Sequence, residues 1–196
     1  MGPGPKSRKP FIMLNAEPLA TPEQLLGTCL RLEIEAAALY KRFHSAATDP
    51  ELAILWDTMS RAEEHHAHLI SELATRRGLA IPVVPVSLLT AIVEHTEAIR
   101  GEADTGELTA ERTLAIAAAL EFSEMDDLFT ALCRAAGISA DAGRAEHLDP
   151  LVRVVLARPS GDAILRHLLA ALIRLGRRAN PVVRLDSSEG TEAAPR

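Results

Sequence analysis

The chain has 196 residues, 47% hydrophobic and 3% aromatic, with 21 Lys and Arg against 27 Asp and Glu for a formal net charge of −6. That apolar share can build a sizeable core and excludes disorder throughout. The acidic balance and the scarcity of stacking rings argue against a partner held by its phosphates, so no nucleic acid is expected. The apolar mass is mostly Ala and Leu, which favours helix over strand. No apolar run approaches the roughly 20 residues that span a bilayer, so no membrane is expected either. Cys29 and Cys133 are too few and too far apart for a disulfide framework or a thiolate zinc site, and read as small core residues in a reducing compartment. Basic residues before Pro10 are followed only by Phe11-Ile12-Met13-Leu14, which is not a signal peptide; a cytoplasmic location is expected.

Residues 1–20, rich in Pro and Gly, read as a flexible arm. Thr21-Pro22-Glu23-Gln24 then has the form of a helix start, with Thr21 as N-cap, Pro22 at the first helical position and Gln24 closing a capping box. That first helix should reach about Ala46. Asp49-Pro50-Glu51 opens a second, running to Arg77 with Gly78 as its left-handed stop. Ala80-Ile81-Pro82-Val83-Val84-Pro85 is an apolar strap that proline keeps out of helix, and a shorter helix follows over Leu88–Arg100. A third long helix is expected from Thr109 to Ala136, ending at Gly137. Beyond it the pattern offers a turn near Ala140–Glu146, a short helix after Asp149-Pro150, and a last helix from Ser160 to about Arg178. Residues 21–179 are thus one helical unit, and 180–196 a flexible tail. Long helices, each with one apolar stripe, mean a bundle.

Each stripe carries a defect at mid-length. The first reads Leu26, Cys29, Glu33, Ala36, Tyr40, Phe43; the second Leu52, Leu55, Met59, Glu63, His66, Ile70, Leu73; the third Leu114, Ala117, Glu121, Glu124, Leu128, Ala131. The last helix places Ile164, His167, Ala171 and Leu175 on its stripe. A lone carboxylate in a dry core favours taking up a proton, and several converging ones need positive charge that no Lys or Arg of these stripes supplies. A metal ion or pair supplies it, and hard oxygen donors with imidazole suit iron or manganese. Glu63 and His66, at i and i+3, can reach one ion from adjacent turns.

The segment Leu32-Glu33-Ile34-Glu35-Ala36-Ala37-Ala38-Leu39-Tyr40 resembles the first bundle helix of the rubrerythrin-like branch of the ferritin-like superfamily, in which a ligand Glu precedes a Tyr by two turns. Ala62-Glu63-Glu64-His65-His66-Ala67-His68-Leu69 is similar to that family's second helix, and Leu120-Glu121-Phe122-Ser123-Glu124 to its third. The resemblance covers about residues 22–77 and 109–136. It implies an all-α, ferritin-like four-helix bundle with an extra connecting helix between the second and third, and a di-iron site used in peroxide reduction, iron oxidation or related oxygen chemistry. Glu33, Glu63, His66 and Glu121 would be the core ligands, joined by Glu124 and His167. The last helix departs from the family pattern: three residues before His167 stands Ile164 in place of a Glu, so the site would hold one metal or a weakly held pair.

The resulting expectation is a non-haem iron protein, with one or two ions and manganese as the other metal, acting as a peroxidase or ferroxidase. With no Cys-x-x-Cys pair for an electron relay, its electrons would come from an external donor. Tyr40 would hydrogen-bond a ligand or give an electron, unless it is simply a core aromatic. The other reading is a ferritin-like structural or interaction module with a decayed or empty site. Trp56 and the strap would serve core packing or a homodimer contact. His65 and His68 should face solvent, Glu35 should be wet, and His68 with Glu72 makes a minor hemerythrin-like pair.

Overall fold

The structure is a computed structural model and describes residues 17–76, 78, 81–121, 123–138, 140–158 and 161. Among the described residues six helices follow one another: α1 (Pro22–Ala46), α2 (Pro50–Thr75), α3 (Val86–Asp104), α4 (Ala110–Glu121), α5 (Glu124–Ala135) and α6 (Ala140–Ala157). No strand occurs among the described residues, and none of these helices is long and apolar enough to cross a membrane.

The starts of α1 and α2 form as their sequences dictate. Thr21 Oγ1 accepts from the Gln24 amide at 3.2 Å while Gln24 Oε1 accepts from the Thr21 amide at 2.9 Å, so both halves of the capping box are made. Asp49 Oδ1 accepts from the Glu51 amide at 2.9 Å, and its other oxygen takes the Arg158 guanidinium at 2.5 Å, tying the end of α6 to the start of α2. Gly78 and Gly137 sit at φ +78° and +70°, left-handed positions that stop the chain after α2 and α5 at little steric cost.

α1 and α2 pack antiparallel along their length as the central pair. α3 lies against α1 and α4, and α6 against α2, α4 and α5. The proline strap passes beside residues 17–20: Leu19 bridges Pro85, the Ala20 amide donates to the Val84 carbonyl at 2.9 Å, and the Val86 amide to the Pro18 carbonyl at 2.9 Å. Those residues are therefore tied to the fold, although they read as part of the arm.

Two expectations about element bounds need correction. The third long helix is interrupted after Glu121, where the Ser123 amide turns back to the Leu120 carbonyl at 3.0 Å, and a new helix starts at Glu124. The cause is legible in hindsight: Ser123-Glu124-Met125-Asp126-Asp127 is itself a helix start, an N-cap serine followed by acids that suit the positive end of a helix. The two short pieces expected around Pro150 are instead the single helix α6 with that proline inside it. Leu151, Val154 and Val155 are buried there, so tertiary packing carries the turn that lacks a backbone donor. The expected last helix, with His167, lies outside the described residues apart from Gly161.

Candidate metal centre

The first two stripes, and the α4 part of the third, turn inward as expected. Every named stripe residue of α1 and α2 is buried, the charged ones included: Glu33 is 2% exposed, Glu63 3% and His66 3%. On α4, Leu114, Ala117 and Glu121 are buried too, Glu121 at 5%. His65 and His68 point outward, and His68 meets Glu72 at 3.3 Å in an exposed pair. Glu35 is drier than expected: Arg100 reaches its carboxylate at 2.5 Å and Arg31 at 3.2 Å, which binds α3 to α1 away from the centre.

Glu33, Glu63 and His66 form one cluster in which a ligand atom of each lies within 4.8 Å of the others. His66 Nδ1 stands 3.0 Å from Glu63 Oε2 and 3.7 Å from Glu33 Oε2. Helix geometry produces this arrangement. Glu63 and His66 are one turn apart on the same face of α2, and the antiparallel α1 sets Glu33 across from them. The Phe129 ring of α5 lies over the imidazole, centroids 4.1 Å apart and planes 31° apart, and holds the ring with Nδ1 toward the carboxylates. Phe129 neighbours the stripe residue Leu128, and nothing in the pattern of its own helix marks its contact with His66.

The electrostatics are those of a pocket that wants a cation. Burial, then the facing Glu33 charge, pushes the Glu63 carboxyl up to about 7. For His66 burial works the other way, against imidazolium, but hydrogen bonds and charges from Glu33 and Glu63 override it and raise the group to about 10. Among the described residues neither glutamate pairs with Lys or Arg. Glu33 Oε2 is fully buried and has no hydrogen-bond partner, a costly state for a carboxylate oxygen. Two carboxylates and one imidazole nitrogen, with one oxygen left over and directed into the cluster, are a donor set that fits a hard or borderline divalent ion.

Glu121 is brought to the same region but engages a different group. The Tyr40 hydroxyl donates to Glu121 Oε1 at 2.5 Å, a buried charge-assisted bond joining α1 to α4. Burial first, then the charges of Glu121 and Glu63, hold the Tyr40 phenol well above its ordinary range, so it stays protonated and remains a donor. Cys29 and Cys133 are buried free thiols outside the cluster; burial and the Glu33 charge push Cys29 up to about 12, and the same two causes raise Cys133. The side chain of Glu124, which opens α5, and His167 lie outside what the structure describes.

A comparison with family models matches residues 24–136 to rubrerythrin, the span that runs from the first turn of α1 to the end of α5 and contains the whole cluster. No curated protein and no solved structure matches the chain. With more than half of its residues under that match, and with an all-helical fold that places Glu33, Glu63 and His66 together, the chain belongs to the rubrerythrin family.

Proposed function

We propose that this protein is a non-haem iron carboxylate protein that reduces peroxide or dioxygen, or oxidises ferrous iron, at the centre formed by Glu33, Glu63 and His66. The observation that carries the reading is the buried pair of carboxylates with no Lys or Arg partner among the described residues and one oxygen, Glu33 Oε2, without a hydrogen bond. An ion there would take the place of the protons that Glu63 and His66 hold as the counter-charge of the cluster. Iron is favoured by the mixed oxygen and imidazole donors and by membership of a family that typically binds it, with manganese as the other metal. Glu121, Glu124 and His167 would complete the set if the family pattern holds.

Bound iron would supply one-electron redox chemistry toward oxygen species. The chain's own residues do the rest. Glu33 and Glu63 neutralise the metal's charge, and His66 Nδ1 presents a nitrogen whose direction Phe129 fixes. Burial of all three side chains, at 2–3% exposure, keeps bulk water from the site. Tyr40 holds one oxygen of Glu121 through its hydroxyl, and the proton of that bond is placed to move between phenol and carboxylate. Reducing equivalents would come from an external donor.

Protein loaded with ferrous ion should consume peroxide in the presence of a one-electron donor, and Glu63→Ala and His66→Ala should lose that turnover by at least tenfold. Turnover unchanged in both variants would overturn the proposal. A second reading, a structural module with an empty site, is supported by one contact: His66 bonds Glu63 at 3.0 Å and thereby relieves part of the cluster without a metal. It requires that both variants bind no less metal than the parent.

A further inference from the structure

α6 packs against α2, α4 and α5, three of the helices that carry the centre or enclose it. Its end is tied to the start of α2 by Arg158 on Asp49 at 2.5 Å, so α6 and α2 run antiparallel from a common point. From that point Glu63 lies 14 residues along α2, and Arg144 lies 14 residues back along α6, about 21 Å in each case. The two positions share one level of the bundle.

The face of α6 follows from its burial. Leu151 and Val154 are buried, and Arg158 continues their row with only 22% of its side chain exposed. Carried toward the start of the helix at the same alternating spacing of three and four, the row reads Val154, Leu151, His147, Arg144. Pro150 lies off this row, and the helix is continuous through it. α2 thus offers Glu63 and His66 at i and i+3, and α6 offers Arg144 and His147 at the same spacing. One of these four positions is occupied by a group of opposite character: a guanidinium has a fixed positive charge and no lone pair for a metal.

The charges then count to a single ion. Glu33, Glu63 and Glu121 are buried carboxylates from three helices. The first two converge with His66, and Glu121 is not part of that group. The Tyr40 hydroxyl that donates to Glu121 is neutral and leaves its charge in place. One divalent ion on Glu33, Glu63 and His66, together with one guanidinium, offsets all three negative charges. A second divalent ion would leave positive charge in excess in a core where uncompensated charge is costly.

We propose that the centre takes one divalent metal ion per chain, and that Arg144 on α6 replaces a second as the counter-charge of Glu121. The inference rests on the metal reading above and deepens it by fixing the number of ions.

Equilibrium dialysis of full-length, chelator-stripped protein against ferrous ion without oxygen, followed by metal analysis, reads that number. The parent should hold one ion per chain. Arg144→Glu, which removes the cation and adds a carboxylate one turn from His147, should hold two. Arg144→Gln, which removes the cation alone, should hold one and bind it at least tenfold more tightly, because the repulsion between guanidinium and ion has gone. Two ions in the parent, or an affinity unchanged in Arg144→Gln, would overturn the proposal, as would a folded Arg144→Glu that holds one. Urea unfolding in chelator separates the role of Arg144 from the metal reading. There Arg144→Gln should lower the folding constant at least fivefold in the parent and less than twofold when Glu121→Gln is already present. Equal losses in the two backgrounds would overturn the role of Arg144 alone. A parent that holds no ion would overturn the metal reading and the ion count together.

Discussion

Burial and the facing Glu33 charge hold the Glu63 carboxyl at about 7 against an ordinary 4.5, so the metal-free fold keeps a proton that the unfolded chain has already released. At 1.36 kcal/mol for each tenfold step, that rise is worth about 3 kcal/mol. Because the folded value is the higher one, this stability is fully present below pH 4.5 and is lost as pH rises through 7. His66, raised to about 10 from 6.5, acts in the same sense at higher pH: its contribution is complete below 6.5 and is lost as pH rises through 10. Glutamine at position 63 keeps the shape and a hydrogen-bonding group beside His66 but cannot ionise. In chelator, Glu63→Gln should match the parent near pH ~5 and exceed it by about 2–3 kcal/mol near pH ~8. Urea unfolding followed by circular dichroism across that range measures both chains. A parent that gains stability from pH ~5 to ~8, or a variant whose curve tracks the parent's, would refute the electrostatic account of the cluster.

Four other outcomes follow from the same geometry. Saturating ferrous or manganous ion should flatten the parent's decline with pH and raise its stability by about 4 kcal/mol at a thousandfold excess over Kd, with no such gain in His66→Ala. Tyr40→Phe removes the hydroxyl that donates to Glu121 Oε1 and should cost about 1–2 kcal/mol, read by the same unfolding assay, with a much smaller loss when Glu121→Gln is already present. Phe129→Leu frees the imidazole that the ring now holds and should weaken metal binding by about tenfold, measured by competition with a chelating dye. Cys29 and Cys133, buried and held in the thiol form, should resist a thiol-directed reagent in the native state and react in full on unfolding.

Most of the centre was legible because burial and charge conflict there. Glu33, Glu63 and Glu121 are residues that helix periodicity places on a dry face and that solvation would keep off it, and all three are buried where the stripes put them. The caps at Thr21 and Asp49 and the stops at Gly78 and Gly137 were legible for a similar reason, since each is a local rule with one residue type that satisfies it. The interruption after Glu121 was missed because the apolar spacing continues smoothly across it. Periodicity reports which face is dry and does not register a change of helix, whereas the Ser123 start signal does. Pro150 shows the opposite failure. The local rule says that a helix ends there, and packing of Leu151, Val154 and Val155 overrides it. Contacts such as Phe129 on His66, Trp56 on Tyr40 and Arg158 on Asp49 join residues distant in sequence, and no single-helix pattern encodes them.

The metal claim is decided most directly by anaerobic calorimetric titration of ferrous ion into chelator-stripped protein beside Glu33→Ala, Glu63→Ala and His66→Ala. Saturable binding at one or two ions per chain in the parent, weakened at least a hundredfold in each variant, is what two convergent carboxylates and an imidazole predict. A parent that takes up no ion, or variants that bind as the parent does, would mean that Glu33, Glu63 and His66 are buried together for some purpose other than holding a metal.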